Sequence, residues 1–252
     1  MEFPHPPVKI VVDLPPPPLG SSSAPHDVGT EFDRWADDGR GDSMEQSHAS
    51  TASTVLSLIP FHQRESFIDL GCGNGYALRW AATRTSPGPV IGIDVSPSML
   101  RLARRRSPSN TKILLVHGTV EHLPFPNDSI DHLFSHESAY YWPDLVAGLR
   151  ECVRVLRPGG TFHCGVDYFL ENRFSHRWQE RIPIPMTLRS VAQWKEAFLL
   201  AGFIAVRQQR IYDPRPIESV VDGRPRTAKE IAELTEVRQR IGTLLTIGIP
   251  GE

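Results

Sequence analysis

The sequence predicts a doubly wound α/β domain with a mostly parallel sheet of about seven strands, over roughly residues 29–252. Short apolar runs typical of buried strands alternate with segments that have the 3.6-residue periodicity of amphipathic helices. The first apolar run ends in a glycine-rich turn that leads directly into a helix, within residues 67–82. Such alternation predicts a parallel sheet covered by helices on both faces.

Length, charge and composition exclude several classes of protein. The chain has 252 residues and a formal net charge of −2 at pH 7, so nothing in it indicates a nucleic-acid-binding surface. Its longest apolar stretch, residues 197–206, is far shorter than the roughly 18 residues of a membrane-spanning helix. Early prolines argue against a secretory signal, and three cysteines without metal-ligand spacing indicate a reducing compartment. We therefore expect a cytoplasmic protein that holds no metal.

The first part of the chain divides into a tail and a helical segment. Residues 1–28 are rich in proline and serine, with four consecutive prolines at 15–18, and predict a disordered tail. Apolar residues are spaced helically over residues 29–60, with a break at 37–42. Asp42 or Ser43 is a candidate cap for the second helix of this segment.

The glycine-rich turn indicates which kind of ligand the sheet binds. Glycines at 71, 73 and 75 follow the strand 67–70, and glycines let the backbone approach a ligand closely at a helix start. A dinucleotide fingerprint requires a further glycine where Tyr76 stands. Asp69 on the strand would repel a pyrophosphate but suits a ligand with an amino group. The alternative is a tight turn that binds nothing.

A second acidic residue ends the next strand. Residues 90–93 form an apolar run that Asp94 terminates, 19 residues after Gly75. A carboxylate at this place can accept both hydroxyl groups of a ribose. Dinucleotide-binding enzymes use the same contact, so Asp94 indicates an adenosine-type ribose without selecting the cofactor. Alternatively, Asp94 caps the helix that follows it.

Further strands and helices follow in alternation. We predict strands at 112–116, 130–135 and 161–166, and an amphipathic helix at 144–156 that Pro158 and the two following glycines terminate. A helix at 190–201 precedes two apolar runs at 203–212 and 243–249, and a charged helix at 227–241 separates these runs.

Four motifs in a fixed order carry a resemblance to a known family. They are D-x-G-x-G-x-G at 69–75, the acid at 94, Leu-Pro-Phe-Pro at 123–126 and Leu-Arg-Pro-Gly-Gly at 156–160. In this order the chain resembles the class I, Rossmann-like S-adenosylmethionine-dependent methyltransferases, in particular the small-molecule group with a type 11 methyltransferase domain. The resemblance implies S-adenosylmethionine as cofactor and S-adenosylhomocysteine as product. It also implies, over 167–252, a substrate-side loop and an antiparallel C-terminal hairpin that closes the sheet.

The resemblance also implies which residues bind the cofactor. The glycine turn would cradle the methionine part, the end of the second strand the ribose, and the loop after the third strand the adenine, with residues 29–60 as a lid over a core at 67–166. Thr119 stands where related proteins commonly carry an aspartate, which puts that contact in doubt. The implied cofactor-binding residues are Asp69, Gly71, Cys72, Gly73, Gly75, Asp94, Val95, Met99, Thr119, Val120, Glu121 and His136, with Trp35 and Arg40 from the lid.

The acceptor side is expected beyond the fourth and fifth strands. His136 follows the fourth strand and is a candidate catalytic base or a neutral hydrogen-bond donor. Tyr140, Tyr141, Asp167 and Trp178 are candidates for the wall of a substrate pocket. The expected partner is a small-molecule methyl acceptor. The sequence specifies neither the identity of this acceptor nor the oligomeric state.

Two other classes of function remain open from the residues alone. One is an NAD(P)-dependent oxidoreductase, against which Tyr76 argues because glycine is required there. The other is a non-catalytic module that binds S-adenosylmethionine or S-adenosylhomocysteine. Thr119, which stands in place of the usual aspartate, keeps this alternative open.

Overall fold

The structure, a computed structural model, describes residues 27–84, 88–109, 111–221 and 224–251. The predicted disordered tail lies outside the described residues except for its last two positions. Val28 already begins the first helix and is half-buried against the core. Helix α1 therefore begins one position before residue 29, where we predicted the start of the folded domain.

Seven strands form one sheet, as predicted. In spatial order they are β3 (Ile113–His117), β2 (Val90–Asp94), β1 (Phe67–Leu70), β4 (Ile130–His136), β5 (Leu156–Val166), β9 (Thr243–Pro250) and β6 (Phe203–Ile211). The first five run parallel to one another, and β9 pairs antiparallel with both β5 and β6. The prediction of a doubly wound sheet closed by an antiparallel hairpin is confirmed. A short separate hairpin, β7 (Val220–Val221) and β8 (Arg224–Pro225), was not predicted.

Seven α-helices accompany the strands among the described residues. They are α1 (Val28–Asp37), α2 (Arg40–Ser57), α3 (Tyr76–Ala82), α4 (Pro97–Arg106), α5 (Leu145–Val155), α6 (Val191–Ala201) and α7 (Ala228–Glu236). Single 3-10 turns occur at Ala139–Tyr141 and His176–Glu180, and α7 continues into a π-helical turn at Val237–Ile241. None of the helices in the described part of the chain is long and apolar enough to cross a membrane.

Two predicted boundaries are wrong for identifiable reasons. Helix α2 begins at Arg40, because Gly39 adopts a left-handed φ of 76° and reverses the chain after only two non-helical residues. Gly39 holds the N-cap position, so positions 42 and 43 lie inside the helix rather than at its cap. Strand β5 begins at Leu156 rather than at 161. Leu156 already pairs with Ile130, and an irregularity in the register absorbs the Pro-Gly-Gly segment before the regular pairing resumes at Thr161.

The topology places the loops that carry the predicted site at one edge of the sheet. Strand order reverses between β1 and β4, and ligands of open α/β sheets bind beyond the carboxyl ends of the strands at such a switch point. The first two helices pack over this edge, where α1 contacts α4 and α2 contacts α3. The helices of the N-terminal segment therefore cover the place where a ligand is expected.

Candidate active site

A cavity of about 1030 Å³ opens at the carboxyl ends of the parallel strands. It is lined by the glycine turn, by the residues that follow β2, β3 and β4, and by α1 and α2 from above. Ligand cavities in proteins commonly span roughly 300–1,000 Å³. The cavity is therefore large enough to hold two ligands side by side.

The glycine turn is shaped by backbone hydrogen bonds to the neighbouring strand. The N–H groups of Gly71 and Cys72 both donate to the carbonyl oxygen of Ile93, at 2.8 and 3.0 Å. Gly71 has a φ of +76°, and a Cβ added there would lie 2.0 Å from the hydroxyl oxygen of Ser138. Gly73 also has a positive φ, but a Cβ there would meet no protein atom within 4 Å. A side chain at position 71 would therefore clash with the protein, whereas one at position 73 would not.

Asp94 lies at the end of β2, where it was predicted. One carboxylate oxygen accepts from the N–H of Gly73 at 2.8 Å and the other from the N–H of Ser96 at 2.9 Å. Each oxygen retains a further lone pair for a ligand hydroxyl. Burial raises the pKa of Asp94 to about 6. Ser96, and not Asp94, accepts from the helix N–H of Met99, so the alternative role of Asp94 as helix cap is wrong.

Asp69 is a second buried carboxyl group that lines the cavity. Burial, and then the nearby charge of Asp94, raise the pKa of Asp69 well above its ordinary value. A positively charged amino group placed in the cavity would stabilise the ionised form of both acids. The site is therefore built for a cationic or amino-bearing ligand rather than for a phosphate.

The loop after β3 supplies a third part of the lining. Residues 118–122 face the cavity, including Thr119, Val120 and Glu121 as predicted. The Oε1 atom of Glu121 is buried and has no hydrogen-bond partner among the described residues. A buried acceptor without a partner is costly, so a ligand N–H donor would stabilise this position.

Two predicted cofactor residues lie away from the cavity lining. Met99 is fully buried between α4 and the lid, in a cluster with Trp35 and Ala36, because the first turn of α4 packs on α1. Gly75 is the left-handed N-terminal residue of α3, and a Cβ there would press against Ala103. Both residues support the site indirectly, through the position of α4 and the shape of the turn.

His136 ends β4 and is 5% exposed. Its Nε2 lies 3.3 Å from the hydroxyl of Thr51, and its Nδ1 lies 3.4 Å from the hydroxyl of Tyr76. Burial lowers the pKa of His136 to about 3, so the imidazole is neutral at pH 7. These contacts favour the neutral donor or acceptor role over the role of a base, which stays an untested prediction.

Aromatic side chains form much of the remaining wall. The guanidinium of Arg40 lies 4.3 Å from the centre of the Trp35 ring, which positions both predicted lid residues at the cavity. Tyr140 and Tyr141 pack against each other with ring centres 4.5 Å apart, and Trp178 lies on the same wall. Phe32 and Trp142 are further wall residues that were not predicted.

Three titratable side chains gather beyond β4 and β5. Ligand-type atoms of His48, Glu137 and Asp167 all lie within 4.8 Å of one another. Such spacing alone would admit a cation, but the oxygens of Glu137 already accept from the Asp167 N–H and the Tyr140 hydroxyl. The absence of a metal stays a prediction. Glu137 was missed although it directly follows β4, a position that marks ligand sites in this fold.

Polar contacts fasten the lid helices to the sheet. The Asp33 carboxylate accepts from the Ser96 hydroxyl and the Ser98 N–H at the start of α4. Glu45 on α2 forms ion pairs with Arg79 and Arg106, at 2.7 and 3.2 Å. Asn74 of the glycine turn also donates to Glu45 and to the carbonyl of Gly41. The lid is thus held by the same segments that build the ligand site.

Comparison with known proteins agrees with this geometry. A family model described as "Methyltransferase domain" matches residues 68–164. A solved chain from the complex of the Haloferax volcanii Trm112 methyltransferase activator with a methyltransferase is 39% identical, with a TM-score of 0.80. The match covers 88% of this chain and 98% of that one.

Curated relatives match over part of their length. The 2-methyl-6-phytyl-1,4-hydroquinone methyltransferase 2 of Oryza sativa subsp. japonica, a chloroplastic protein, is 29% identical over 182 residues, which are 70% of this chain and 47% of the relative. The 27-O-demethylrifamycin SV methyltransferase of Amycolatopsis mediterranei is 24% identical over 84% of this chain and 78% of its own. The chain spans about half the length of the first of these relatives.

The cavity fits S-adenosylmethionine on independent grounds. Asp69 suits the amino group of its methionine part, Asp94 offers acceptors to a ribose, and the unpartnered Glu121 oxygen suits an amino group such as that of adenine. The 39% identical methyltransferase and the matching domain model support the same cofactor. This chain belongs to the class I S-adenosylmethionine-dependent methyltransferases.

Proposed function

We propose that the enzyme methylates a small molecule that binds inside the cavity, beyond the carboxyl ends of β4 and β5. The observation that carries the proposal is the cavity itself. At about 1030 Å³ it exceeds the needs of one nucleoside, and the lid covers it. Its acceptor-side wall is aromatic, which suits a compact organic acceptor better than a protein or nucleic-acid surface.

The residues divide the cavity into two halves in this proposal. The cofactor half is formed by Asp69, the glycine turn, Asp94 with Val95, and the loop at 118–122. The acceptor half is formed by Glu137, Tyr140, Tyr141 and Trp178, which follow β4 or come from the long segment after β5. Sheet order supports this division, since β1 and β2 lie on one side of the switch point and β4 and β5 on the other.

Methyl transfer from S-adenosylmethionine requires no covalent intermediate with the protein. S-adenosylmethionine supplies an activated methyl group on a positively charged sulfur. The protein must align the acceptor with that group and exclude water. The lid contacts of Asp33 and Glu45 close the cavity, and the tyrosines after β4 present electron-rich rings to the cationic centre. His136 is neutral because it is buried, and its contacts with Thr51 and Tyr76 orient its ring in this wall.

A second proposal concerns a protein partner. The 39% identical relative was solved with a Trm112 methyltransferase activator, and this observation supports the same kind of partner here. We expect co-expression with the Haloferax volcanii activator to yield a complex that survives size-exclusion chromatography. Elution of the two proteins as separate peaks would reject this partner.

The location of the enzyme stays a prediction. All three cysteines are buried free thiols, as expected for a reducing compartment, and this supports the cytoplasm.

Transfer of labelled methyl groups tests the proposed acceptor class. The purified enzyme is incubated with methyl-labelled S-adenosylmethionine and two sets of acceptors, a small-molecule extract and the macromolecular fraction of the same cells. We expect label in the small-molecule set, and loss of that label in Asp94→Ala. Label confined to macromolecules would contradict the proposal.

A further inference from the structure

The group of His48, Asp167 and Glu137 has no role in cofactor binding as described above. His48 lies on lid helix α2 and lines the cavity, and Asp167 directly follows β5. The His48 Nδ1 and an Asp167 carboxylate oxygen are 3.9 Å apart, with about a fifth of each side chain exposed. Only His48 of this pair lines the cavity. Asp167, which we predicted as a wall residue of the substrate pocket, is not among the lining residues and contacts His48 from the end of β5.

This distance is in the range of an ion pair but is too long for a hydrogen bond. Hydrogen bonds between catalytic groups are often long before a substrate binds and shorten in the complex. With Nδ1 turned towards Asp167, Nε2 is the ring nitrogen that can meet a ligand. A carboxylate that holds one imidazole nitrogen protonated leaves the other as a proton acceptor.

We propose that His48, oriented by Asp167, takes the proton from the hydroxyl or amino group of the methyl acceptor. This inference rests on the proposed acceptor half of the cavity. The acceptor oxygen or nitrogen forms a bond to the methyl carbon as the carbon–sulfur bond breaks, and the electron pair of that bond remains on sulfur. The released proton moves to His48 Nε2, and the imidazolium formed is stabilised by the Asp167 carboxylate before the proton leaves to water.

The surroundings keep His48 ready to accept a proton. Burial lowers the pKa of His48, the Asp167 charge raises it, and the Arg215 charge lowers it, with a net decrease. Two further groups face the imidazole. The His136 ring lies 6.0 Å away and is neutral, and burial together with Asp167 raises the pKa of Glu137 well above its ordinary value. At pH 7 His48 is therefore neutral.

Glu137 belongs to the support of this pair. Its carboxyl accepts from the Asp167 N–H at 2.5 Å and from the Tyr140 hydroxyl at 3.0 Å. It also has a left-handed φ of 60°, an unfavourable conformation for a residue other than glycine. Glu137 thus fixes the backbone that places Asp167 opposite the lid, and we regard it as a positioning residue.

Histidine NMR on the S-adenosylhomocysteine complex tests the pair without any acceptor. In nitrogen-15-labelled protein we expect His48 to carry its neutral proton on Nδ1 and to titrate below its ordinary pKa of about 6.5. Asp167→Asn should move that pKa further down, and Arg215→Gln should move it up. A proton on Nε2, or a His48 pKa that Asp167→Asn leaves unchanged, would overturn the proposal.

A coloured phenol tests proton transfer itself. 4-Nitrophenol is titrated with pH in the same complex, and we expect the yellow phenolate band of the bound phenol to appear at lower pH in wild-type protein than in His48→Gln, because a protonated His48 stabilises the phenolate. His62→Gln, which changes an exposed histidine outside the cavity, should behave as the wild type. An equal apparent pKa of the bound phenol in wild type and His48→Gln, or a difference that EDTA abolishes, would contradict the role of His48. Failure of S-adenosylhomocysteine to bind would instead contradict the proposed function, and thermal melts exclude unfolding as the cause.

Discussion

Three glycine-to-alanine variants separate the structural and ligand-binding roles of the glycine turn. Gly71 and Gly39 share a φ of +76°, but an added Cβ meets Ser138 atoms at 2.0 and 2.6 Å at Gly71 and nothing within 4 Å at Gly39. Both variants incur the left-handed penalty of about 1–2 kcal/mol, offset by about 0.4–1 kcal/mol from the lower entropy of the unfolded chain. We therefore expect Gly39→Ala to lower the free energy of unfolding by roughly 1 kcal/mol.

Gly71→Ala must also displace Ser138, whose hydroxyl accepts from the Trp142 indole N–H at 3.2 Å. Overpacking of this kind costs about 1–3 kcal/mol, which brings the expected loss to roughly 2–4 kcal/mol. Gly73→Ala should lose about as much stability as Gly39→Ala, since its Cβ would meet no protein atom. That Cβ would instead project into the space assigned to the cofactor, so affinity for S-adenosylhomocysteine should fall.

Urea unfolding and calorimetric titration with S-adenosylhomocysteine measure the two effects separately. The expected pattern is a small stability loss with intact affinity for Gly39→Ala, a small loss with weak affinity for Gly73→Ala, and a large loss for Gly71→Ala. Equal stability losses at positions 39 and 71 would refute the close approach of Ser138. Unchanged affinity in Gly73→Ala would refute the placement of the cofactor.

Four further predictions concern the cofactor half and the lid. Asp94→Ala should weaken S-adenosylhomocysteine binding at least about 100-fold in calorimetry, since two hydrogen bonds to a charged group contribute about 1.5–3 kcal/mol each. An affinity within threefold of wild type would reject the assignment of Asp94 to the ribose. The pKa of Asp94 in the free protein is raised to about 6, and the ionised carboxylate is the better hydrogen-bond acceptor. The affinity for S-adenosylhomocysteine should therefore fall as the pH drops below about 6. An affinity that does not change between pH 5 and 8 would contradict this. The same raised pKa means that Asp94 reduces the stability of the free protein as the pH rises from about 4 to 6, a dependence that urea unfolding of Asp94→Asn should lack. Glu45→Gln should speed amide hydrogen exchange in α2. The loss in free energy of unfolding should be at most about 1 kcal/mol, because the ion pairs of Glu45 are partly exposed. Glu196→Gln, which changes an exposed residue, is the control, and equal exchange in both variants would show that Glu45 does not hold the lid.

Local sequence signals were sufficient to locate the turn and the strand end that carry the proposed cofactor half. The turn at 71–75 and the acid at 94 each depend on a few neighbouring residues and could be read from local patterns. The strand order that makes the switch point is observed only in the structure. Asp94 sits where the pattern placed it, although Ser96 turned out to be the cap of α4.

The acceptor half depends on contacts between distant segments and could not be predicted in the same way. His48 meets Asp167 only because α2 folds over the carboxyl ends of β4 and β5. The lid position also explains why Met99 was misplaced, since α1 packs on the face of α4 that carries it. The bulge that lets β5 begin at Leu156 is a property of its pairing with β4, which no local pattern specifies.

A crystal structure of the complex with S-adenosylhomocysteine tests the central claim most directly. The account predicts the ribose hydroxyls within hydrogen-bond distance of the Asp94 carboxylate, the adenine against residues 118–122, and the sulfur directed towards His136 and the space below His48. An adenine bound over β4 and β5, or a ribose that does not contact Asp94, would contradict the division of the cavity into a cofactor half and an acceptor half.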